Sequence, residues 1–312
     1  MTAISAPVFD IQTLATRDGH GLRTLVFLQG CPLRCTWCSN PEGQADRPQL
    51  RWRRAVCTGD MACLAACRHG AVHIVRVGDA KNAIPVFDRD LCAQCDDHAC
   101  VGQCPAGALV LADRRMAADE LCAELMKDIR LFWNTGGGLT FGGGEPLLHP
   151  DFVAEVAVRI RRYGIGTAIE TCGEWDWAKA EPALAAAERI FFDLKTLDRE
   201  THRRVTGRSN ENILANLKRL AAMAPEKVVV SLPLIPGLGD IVENTRAIGG
   251  FLRSLGLGRV RLLPYHRMGI GKYGSLGRIY PHQAWDGDLD PSLVAAARDV
   301  LAGLGFEVTV EG

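Results

Sequence analysis

Three cysteines near the start of the chain have the residue type and the spacing to hold a metal cluster. Cys31, Cys35 and Cys38 form a C-x3-C-x2-C run directly after a short apolar segment. Three thiolates on one loop can bind three irons of a 4Fe–4S cluster and leave the fourth iron open, as a catalytic centre requires. Zinc ribbons usually carry cysteines in C-x2-C pairs, so the triplet is poor zinc spacing. The run therefore predicts a catalytic iron–sulfur loop rather than a chance cysteine-rich loop.

A second group of cysteines repeats the ligand spacing of a bacterial ferredoxin. Its later half is close to the run C-x2-C-x2-C-x3-C-P, with two extra residues before the third cysteine. In its earlier half, Cys63 matches Cys100 and Cys67 matches Cys104, but Asp60 stands where the second cysteine belongs. Two-cluster ferredoxins exchange their fourth cysteines. The repeat predicts one cluster on Cys92, Cys95, Cys100 and Cys67, and another on Cys57, Cys63, Cys104 and, if its carboxylate binds iron, Asp60.

Two interpretations of Asp60 remain open. A carboxylate is a harder ligand than a thiolate but can bind iron, whereas an unbound Asp60 would leave a labile or three-iron cluster. A cysteine-rich zinc fold is the alternative for the whole group, and it is less well supported because the ferredoxin spacing occurs twice. His98 is interpreted as a solvated loop histidine. Cys122 and Cys172 are interpreted as packing residues.

The composition is that of an ordinary globular protein. With 47% hydrophobic and 23% charged residues, disorder and fibres are excluded. The net charge of zero gives no basic field to attract nucleic acid or an acidic membrane. No apolar run is long enough for a transmembrane helix, and residues 1–20 lack the features of a signal peptide. We expect a monomeric cytosolic protein without nucleic-acid or membrane binding, in which crowded cysteines favour metals over disulfides.

Outside the cysteine-rich segment, short apolar runs alternate with amphipathic stretches. The predicted strands are Thr24–Leu28, Leu139–Phe141, Thr167–Ile169, Ile190–Phe192, Lys227–Leu234, Val260–Leu263 and Phe306–Val310. The predicted helices are Phe152–Tyr163, Trp177–Glu188, Ile213–Met223, Asn244–Leu255 and Ser292–Leu301. Such alternation implies parallel βα units, in a barrel or an open sheet, with the ligand site at the carboxyl ends of the strands. Polar residues follow these strands at Cys31, Gly142–Glu145, Glu170–Thr171, Asp193–Lys195 and His266.

Several further segments match one known family in the same order along the chain. They lie between residue 8 and about residue 275 and are Phe9–Gln12, Arg17–Thr24, Gly30–Cys35, Cys38–Glu42, Gly143–Leu147, Asp193–Lys195, Thr206–Gly207, Pro233–Gly237 and Leu263–His266. On these segments the chain resembles the radical S-adenosylmethionine enzymes and, more narrowly, the activating enzymes of glycyl radical enzymes. His20 stands where the family usually has proline.

The resemblance implies both a fold and a division into domains. The fold would be α/β, a partial (β/α)6 TIM-like barrel with a bacterial-ferredoxin-like two-cluster module inserted after its first strand. The barrel is expected over residues 1–49 and 111–312, and the iron–sulfur insert over residues 50–110.

The resemblance also implies where S-adenosylmethionine binds. The open iron would hold its amino and carboxylate groups, and the segment Gly142, Gly143 and Gly144, next to Glu145, would bond the methionyl amino group. Trp37 would pack near the adenine. The other expected contacts are Glu170 and Thr171 near the ribose, Asp193 and Lys195 beside the cofactor, and His266 near the cofactor and the target peptide. Lys195 and His266 are also the expected catalytic side chains, and the acidic Glu170 and Asp193 can hold a monovalent cation.

The activity that the resemblance implies is reductive cleavage of S-adenosylmethionine to methionine and a 5′-deoxyadenosyl radical. That radical would take a Cα hydrogen from a glycine of a partner glycyl radical enzyme, and the insert would relay electrons from a flavodoxin or ferredoxin. One alternative is radical chemistry on another peptide or a small molecule, against which stand the matches at Asp18–Thr24 and Leu263–His266. The other is a non-catalytic electron carrier or zinc-binding module. The choice of partner enzyme lies in surface contacts.

Overall fold

The strands form one large sheet and two small antiparallel pairs. The computed structural model describes residues 4–76, 83–112, 114–282 and 287–311. Its strands are β1 (Ser5–Ala15), β2 (Arg23–Leu28), β3 (Leu50–Trp52), β4 (Val72–Arg76), β5 (Ala83–Phe87), β6 (Leu109–Leu111), β7 (Arg114–Ala117), β8 (Gly138–Gly143), β9 (Gly166–Thr171), β10 (Arg189–Asp193), β11 (Val228–Leu234), β12 (Arg259–Pro264) and β13 (Glu307–Val310). The large sheet has the order β13-β12-β11-β10-β9-β8-β2-β1-β7.

Most of the large sheet is parallel. The strands from β13 to β2 in that order all run in the same direction, whereas β1 pairs antiparallel with both β2 and β7. Parallel strands are covered on both faces and therefore consist of nearly continuous apolar residues. All residues of β2 are buried, and in β11 only Pro233 is partly exposed.

Helices follow the parallel strands and cover the sheet. They are α1 (Ala62–Ala66), α2 (Arg89–Cys92), α3 (Ala99–Gly102), α4 (Ala118–Leu125), α5 (Ile129–Thr135), α6 (Pro150–Arg161), α7 (Trp177–Ala186), α8 (Arg199–Thr206), α9 (Glu211–Met223), α10 (Ile241–Ser254), α11 (Ile270–Ser275) and α12 (Pro291–Gly303). Four of these helices have an aspartate as N-cap, whose carboxylate accepts hydrogen bonds from backbone N–H groups of the first turn. The caps are Asp176 for α7, Asp198 for α8, Asp240 for α10 and Asp290 for α12. No helix in the described part of the chain is long and apolar enough to cross a membrane.

The segment between β2 and β7 forms a small unit with its own core. Within it β3 pairs with β6, and β4 pairs with β5. Its buried residues are Leu50, Cys63, Ala71, Val72, Phe87, Cys92, Cys100 and Leu109. Because β3 and β6 lie side by side, the unit leaves and rejoins the rest of the chain at neighbouring points.

The predicted α/β fold with a parallel sheet is confirmed. Each predicted strand and helix matches an observed one, although the predicted ends Tyr163, Glu188, Lys227, Leu255 and Phe306 lie just outside the observed elements. The predictions include neither β1 nor β7. In β1 only two of eleven residues are buried, so its apolar alternation is too weak to mark a strand.

Candidate functional site

The loop with the first three cysteines is supported by the end of a neighbouring helix. It follows β2, and Arg34 N donates to Thr206 O at 2.7 Å. Thr36 N donates to Val205 O at 3.0 Å. Both acceptors belong to the last turn of α8, whose final carbonyls have no partner within the helix. These bonds fix the loop backbone and therefore the positions from which the cysteine side chains extend.

The thiols of Cys31, Cys35 and Cys38 converge, each close enough to interact electrostatically with the other two. Burial raises the pKa of Cys35 to about 12 and that of Cys38 to about 11. A hydrogen bond with the buried Cys172 lowers the pKa of Cys31. A bound metal ion deprotonates such thiols outright, and soft thiolates suit iron–sulfur clusters. The three side chains fit the predicted cluster with one open iron.

Lys195 brings a buried positive charge to these thiols. It lies just after β10, its side chain is 5% exposed, and its Nζ lies 3.4 Å from Asp193 Oδ2. Burial lowers the pKa of Lys195, but the carboxylate of Asp193 and the neighbouring cysteines outweigh burial and raise it above its ordinary value. The lysine is therefore charged. The structure thus brings the predicted residues Asp193 and Lys195 to the cysteine loop.

The glycines at the end of β8 are required by close packing against the first cysteine loop. Gly143 has a φ of +109°, and a Cβ there would meet the backbone of Leu28. Gly144 N donates to Leu28 O at 2.9 Å, and a Cβ on Gly144 would meet the backbone of Gly30. A Cβ on Gly142 would lie 3.0 Å from an oxygen of Glu170. The segment therefore lies between the cysteine loop and Glu170.

Glu145 is fully buried, and its carboxylate is bonded within the protein. It lies 2.9 Å from the hydroxyl of Thr171 and accepts from Cys172 N at 2.7 Å and Leu147 N at 3.0 Å. Burial raises the pKa of Glu145 to about 7. The hydroxyl of Thr171 also accepts from Trp175 Nε1 at 2.7 Å. Glu145 and Thr171 therefore join the ends of β8 and β9 and support the site from within.

Glu170 is bonded to an arginine that the sequence analysis did not single out. Arg261, on β12, is buried and donates from Nη2 to Glu170 Oε1 at 2.6 Å. It also donates from Nη1 to Glu311 Oε2 at 3.2 Å and from Nε to Ser231 Oγ at 2.6 Å. Its guanidinium carbon lies 3.9 Å from the centre of the Phe191 ring. A charged residue inside the apolar run Val260–Leu263 is the signal that could have identified it.

Trp37 lies beside an aromatic cluster that includes a second histidine. Its ring is edge-on to that of His282 with 6.4 Å between centroids, and His282 lies 5.4 Å from the ring of Tyr265. In the described part of the chain, His266 Nδ1 and His282 Nε2 are buried without a hydrogen-bond partner. Burial lowers the pKa of both histidines. No motif in the sequence marks His282.

The cysteines of the small unit form two groups. In the first, Cys92 interacts with Cys67 and Cys95, and Cys100 interacts with all three and, less strongly, with Cys63 of the second group. Burial raises the pKa of Cys100 to about 11. Cys67 comes from the earlier half of the repeat and the other three from the later half. This is the grouping that an exchange of fourth cysteines requires.

The second group combines three cysteines with Asp60. Cys63 interacts with Cys57 and Cys104, and all four residues line one pocket. The carboxylate of Asp60 accepts from Thr58 Oγ1 at 2.5 Å and from the first backbone N–H of α1 at 2.9 Å, and both bonds lower its pKa. Asp60 is therefore ionised at the mouth of this pocket.

Backbone N–H groups point at three of these sulfurs. The Sγ atoms of Cys67 and Cys104 each accept from the residue four positions later, at 3.3 Å and 3.2 Å. Cys95 Sγ accepts from His98 N at 3.3 Å. Hydrogen bonds to sulfur of this kind tune the reduction potential of iron–sulfur clusters.

His98 is buried, with a φ of +42°, so the interpretation of a solvated histidine is wrong.

Comparison with known proteins decides the family. The profile of the radical SAM superfamily matches residues 103–246. The isethionate sulfite-lyase activating enzyme of Oleidesulfovibrio alaskensis is 41% identical over 277 residues, which cover 88% of this chain and 87% of that protein. The chain belongs to the radical SAM superfamily, among the activating enzymes of glycyl radical enzymes.

Further comparisons agree with this family. The activating enzyme is 37% identical to the indoleacetate decarboxylase activating enzyme of Tractidigestivibacter scatoligenes over 279 residues, 89% of this chain and 88% of that protein. The crystal structure of SuiB from Streptococcus suis with the precursor peptide SuiA matches 64% of this chain and 43% of SuiB, with 15% identity and a TM-score of 0.50. That likeness concerns the fold alone. A radical SAM activating enzyme is an oxidoreductase that uses a 4Fe–4S cluster and S-adenosylmethionine.

Proposed function

We propose that this activating enzyme cleaves S-adenosylmethionine reductively and passes the radical to a glycine of its partner glycyl radical enzyme. One electron breaks the sulfur–carbon bond and gives methionine and a 5′-deoxyadenosyl radical. The radical takes a Cα hydrogen from the glycine and leaves as 5′-deoxyadenosine. The observation that carries the proposal is the convergence of three partly buried thiols beside the charged Lys195. A 4Fe–4S cluster bound there supplies electron transfer and an open iron for the methionyl group.

Lys195 and Asp193 set the charge of the proposed site. A buried ammonium group interacts strongly with nearby thiolates because the protein interior screens charge poorly. Asp193 fixes the lysine from 3.4 Å away. We assign two roles to Lys195. Its positive charge would stabilise the reduced form of the catalytic cluster, and it would attract the carboxylate of the methionyl group.

The aromatic side of the site suits the nucleoside. Trp37, which directly precedes the third cysteine of the loop, offers a ring against which an adenine can pack. His266 Nδ1 and His282 Nε2 are buried polar atoms without protein partners in the described residues, and a ligand that bonds them removes the cost of leaving them unpaired. Protein groups thereby orient the cofactor and exclude water while S-adenosylmethionine provides the reactive radical.

The insert over residues 50–110 is assigned as a bacterial-ferredoxin-like module with two auxiliary clusters. Its two groups of cysteines and the N–H bonds to their sulfurs support this assignment. The proposed ligands are Cys92, Cys95, Cys100 and Cys67 for one cluster, and Cys57, Cys63, Cys104 and Asp60 for the other. The module would relay electrons from a flavodoxin or ferredoxin to the catalytic loop.

The remaining parts of the chain, residues 1–49 and 111–312, are assigned to a partial (β/α)6 TIM-like barrel. Support comes from the polar residues that follow β2, β8, β9, β10 and β12, which are expected on one edge of a parallel sheet. An incomplete barrel would leave a side opening for a glycine-bearing loop of the partner. A monovalent cation at Glu170 and Asp193 fits less well, since both carboxylates already have cationic partners. The monomeric state and cytosolic location stay predictions.

The cleavage step is tested by anaerobic reconstitution with iron and sulfide, followed by reaction with dithionite and S-adenosylmethionine. We expect about eight to twelve irons per chain and equal amounts of methionine and 5′-deoxyadenosine. Cys35→Ala should lose the products, whereas Cys122→Ala, which changes a thiol of helix α4, should keep them. Bound zinc in place of iron, or product formation by Cys35→Ala at the wild-type rate, would contradict the proposal.

A further inference from the structure

Arg261 is a buried arginine whose three guanidinium nitrogens all have hydrogen-bond partners and whose guanidinium plane contacts an aromatic ring. Its side chain is 4% exposed, it is bonded to Glu170, Glu311 and Ser231, and it lies over the ring of Phe191. A guanidinium group is charged at all pH values at which proteins fold. The side chain is therefore a permanent positive charge that is buried against one face of the large sheet.

Strand register places this charge next to the proposed cofactor site. Asp193 pairs with Ser231 across β10 and β11, and Ser231 pairs with Arg261 across β11 and β12. Paired residues on adjacent strands have side chains on the same face of a sheet. Glu170, to which Arg261 is bonded, lies against Gly142. Arg261 therefore reaches from β12 to Glu170 on β9, which lies beside the glycine segment of β8.

Acidic and basic side chains lie close to one another around Arg261. The interacting carboxylates are Asp18, Glu170 and Glu311, and the arginines are Arg17, Arg23 and Arg261. Beside them, Asp193 is paired with Lys195. Among the described side chains, Glu170 and Asp193 therefore each already have a basic partner.

A monovalent metal ion does not fit this arrangement well. Oε1 of Glu170 is 2.6 Å from a nitrogen of Arg261, and Oδ2 of Asp193 is 3.4 Å from Lys195. A cation held by both carboxylates would lie close to two positive side chains and be repelled by them. We propose that Arg261 is the built-in cation of the S-adenosylmethionine site and replaces a monovalent metal ion, so that cofactor binding by this chain requires neither sodium nor potassium.

This inference rests on the proposed function, and it makes Arg261 a positioning residue. It acts through Glu170, which it holds in place beside Gly142. A metal ion in the same role could dissociate, whereas a side chain bonded at several atoms is fixed by the fold. If a metal ion had this role, the binding of S-adenosylmethionine would depend on which cation the buffer contains. If Arg261 has it, binding would not depend on the cation.

The test measures the Kd of S-adenosylmethionine for the anaerobically reconstituted enzyme in potassium, sodium and tetramethylammonium chloride at equal ionic strength. We expect the wild-type Kd to agree within about twofold among the three salts. Arg261→Gln should bind about tenfold more weakly in tetramethylammonium chloride, and potassium or sodium should restore much of the loss. Arg259→Gln, on the same strand, is the control and should match the wild type in all three salts, because its guanidinium contacts Glu226 O, outside the site.

Two results would overturn the inference. The first is wild-type binding that is lost in tetramethylammonium chloride and restored by potassium or sodium. The second is a folded Arg261→Gln variant that is weakened equally in every salt, since a purely structural role predicts no rescue. If Arg261→Gln does not fold, the wild-type comparison still decides. Absence of binding in every salt would instead contradict the proposed function, and the inference with it.

Discussion

The hydroxyl of Thr171 lies 2.9 Å from both carboxylate oxygens of Glu145. This contact joins the carboxyl end of β9 to the segment that follows β8. The same carboxylate accepts a hydrogen bond from the backbone N–H of Cys172. The thiol of Cys172 is in turn hydrogen-bonded to the thiol of Cys31. The glutamate is thus a buried support that connects two strand ends with the cysteine loop.

The first prediction concerns Glu145 and pH. Burial raises its pKa from 4.5 to about 7, so folding favours the protonated form. The contribution of Glu145 to the free energy of unfolding should be largest below pH 4.5 and should fall by up to about 3 kcal/mol as the pH rises to about 7. Glu145→Gln removes this titration. Its stability relative to the wild type should therefore improve over that pH range in thermal or denaturant unfolding.

The control for this prediction is Glu124→Gln, which changes an exposed glutamate that contacts Lys127. Its stability relative to the wild type should stay constant over the same range. A Glu145→Gln difference that is equally flat would show that the buried carboxyl does not titrate in this way.

The second prediction concerns Lys195. Lys195→Met removes the buried ammonium group while keeping much of the side-chain volume. We expect the Kd of S-adenosylmethionine to rise about tenfold or more, because bonds to charged groups are stronger than neutral ones. The reduction potential of the catalytic cluster should also fall, since a nearby positive charge is lost. Isothermal titration and a redox titration measure the two effects. Lys179→Met, exposed on α7, is the control, and equal values for both variants would remove Lys195 from the site.

The third prediction concerns Asp60. If its carboxylate completes the cluster of Cys57, Cys63 and Cys104, Asp60→Ala should lose about one iron per chain and Asp60→Cys should keep it. Iron analysis and the electron paramagnetic resonance spectrum of the oxidised protein report this change. Asp90→Ala is the matched control, since Asp90 is an exposed acid in helix α2 of the same insert. Identical spectra for Asp60→Ala and the wild type would mean that Asp60 is not a ligand.

The fourth prediction concerns the exchange of fourth cysteines in the insert. Cys67→Ser should alter the same cluster signal as Cys95→Ser, although the two cysteines belong to different halves of the repeat. Cys104→Ser should likewise share its effect with Cys57→Ser. Spectra of the reduced variants distinguish the two clusters. Grouping of Cys67→Ser with Cys57→Ser would show that each half of the repeat holds its own cluster.

The cysteine groups could be predicted from the sequence because their ligands lie close together along the chain. A run such as Cys31, Cys35 and Cys38 fixes its own geometry on one loop. The polar residues after each parallel strand were also predictable, since parallel strands bring their ends to one edge. The placement of Asp193 and Lys195 beside the cysteine loop follows from this rule.

The network around Arg261 could not be predicted in the same way. Its partner Glu170 is 91 residues away in sequence and Glu311 is 50 residues away, so no local spacing connects them. A charged residue inside a buried strand indicates that a partner exists but does not say which one. His98 shows the same limit, because its burial follows from packing within the insert rather than from its polar neighbours in sequence.

Hydrogen transfer from a partner's glycine to the nucleoside is the step on which the proposed function depends. The most direct measurement incubates the reduced enzyme with S-adenosylmethionine and a candidate glycyl radical enzyme whose glycine carries deuterium at Cα. We predict a glycine-centred radical signal on the partner and one deuterium in the 5′-deoxyadenosine formed. Formation of unlabelled 5′-deoxyadenosine, with every candidate partner silent in electron paramagnetic resonance, would contradict this step.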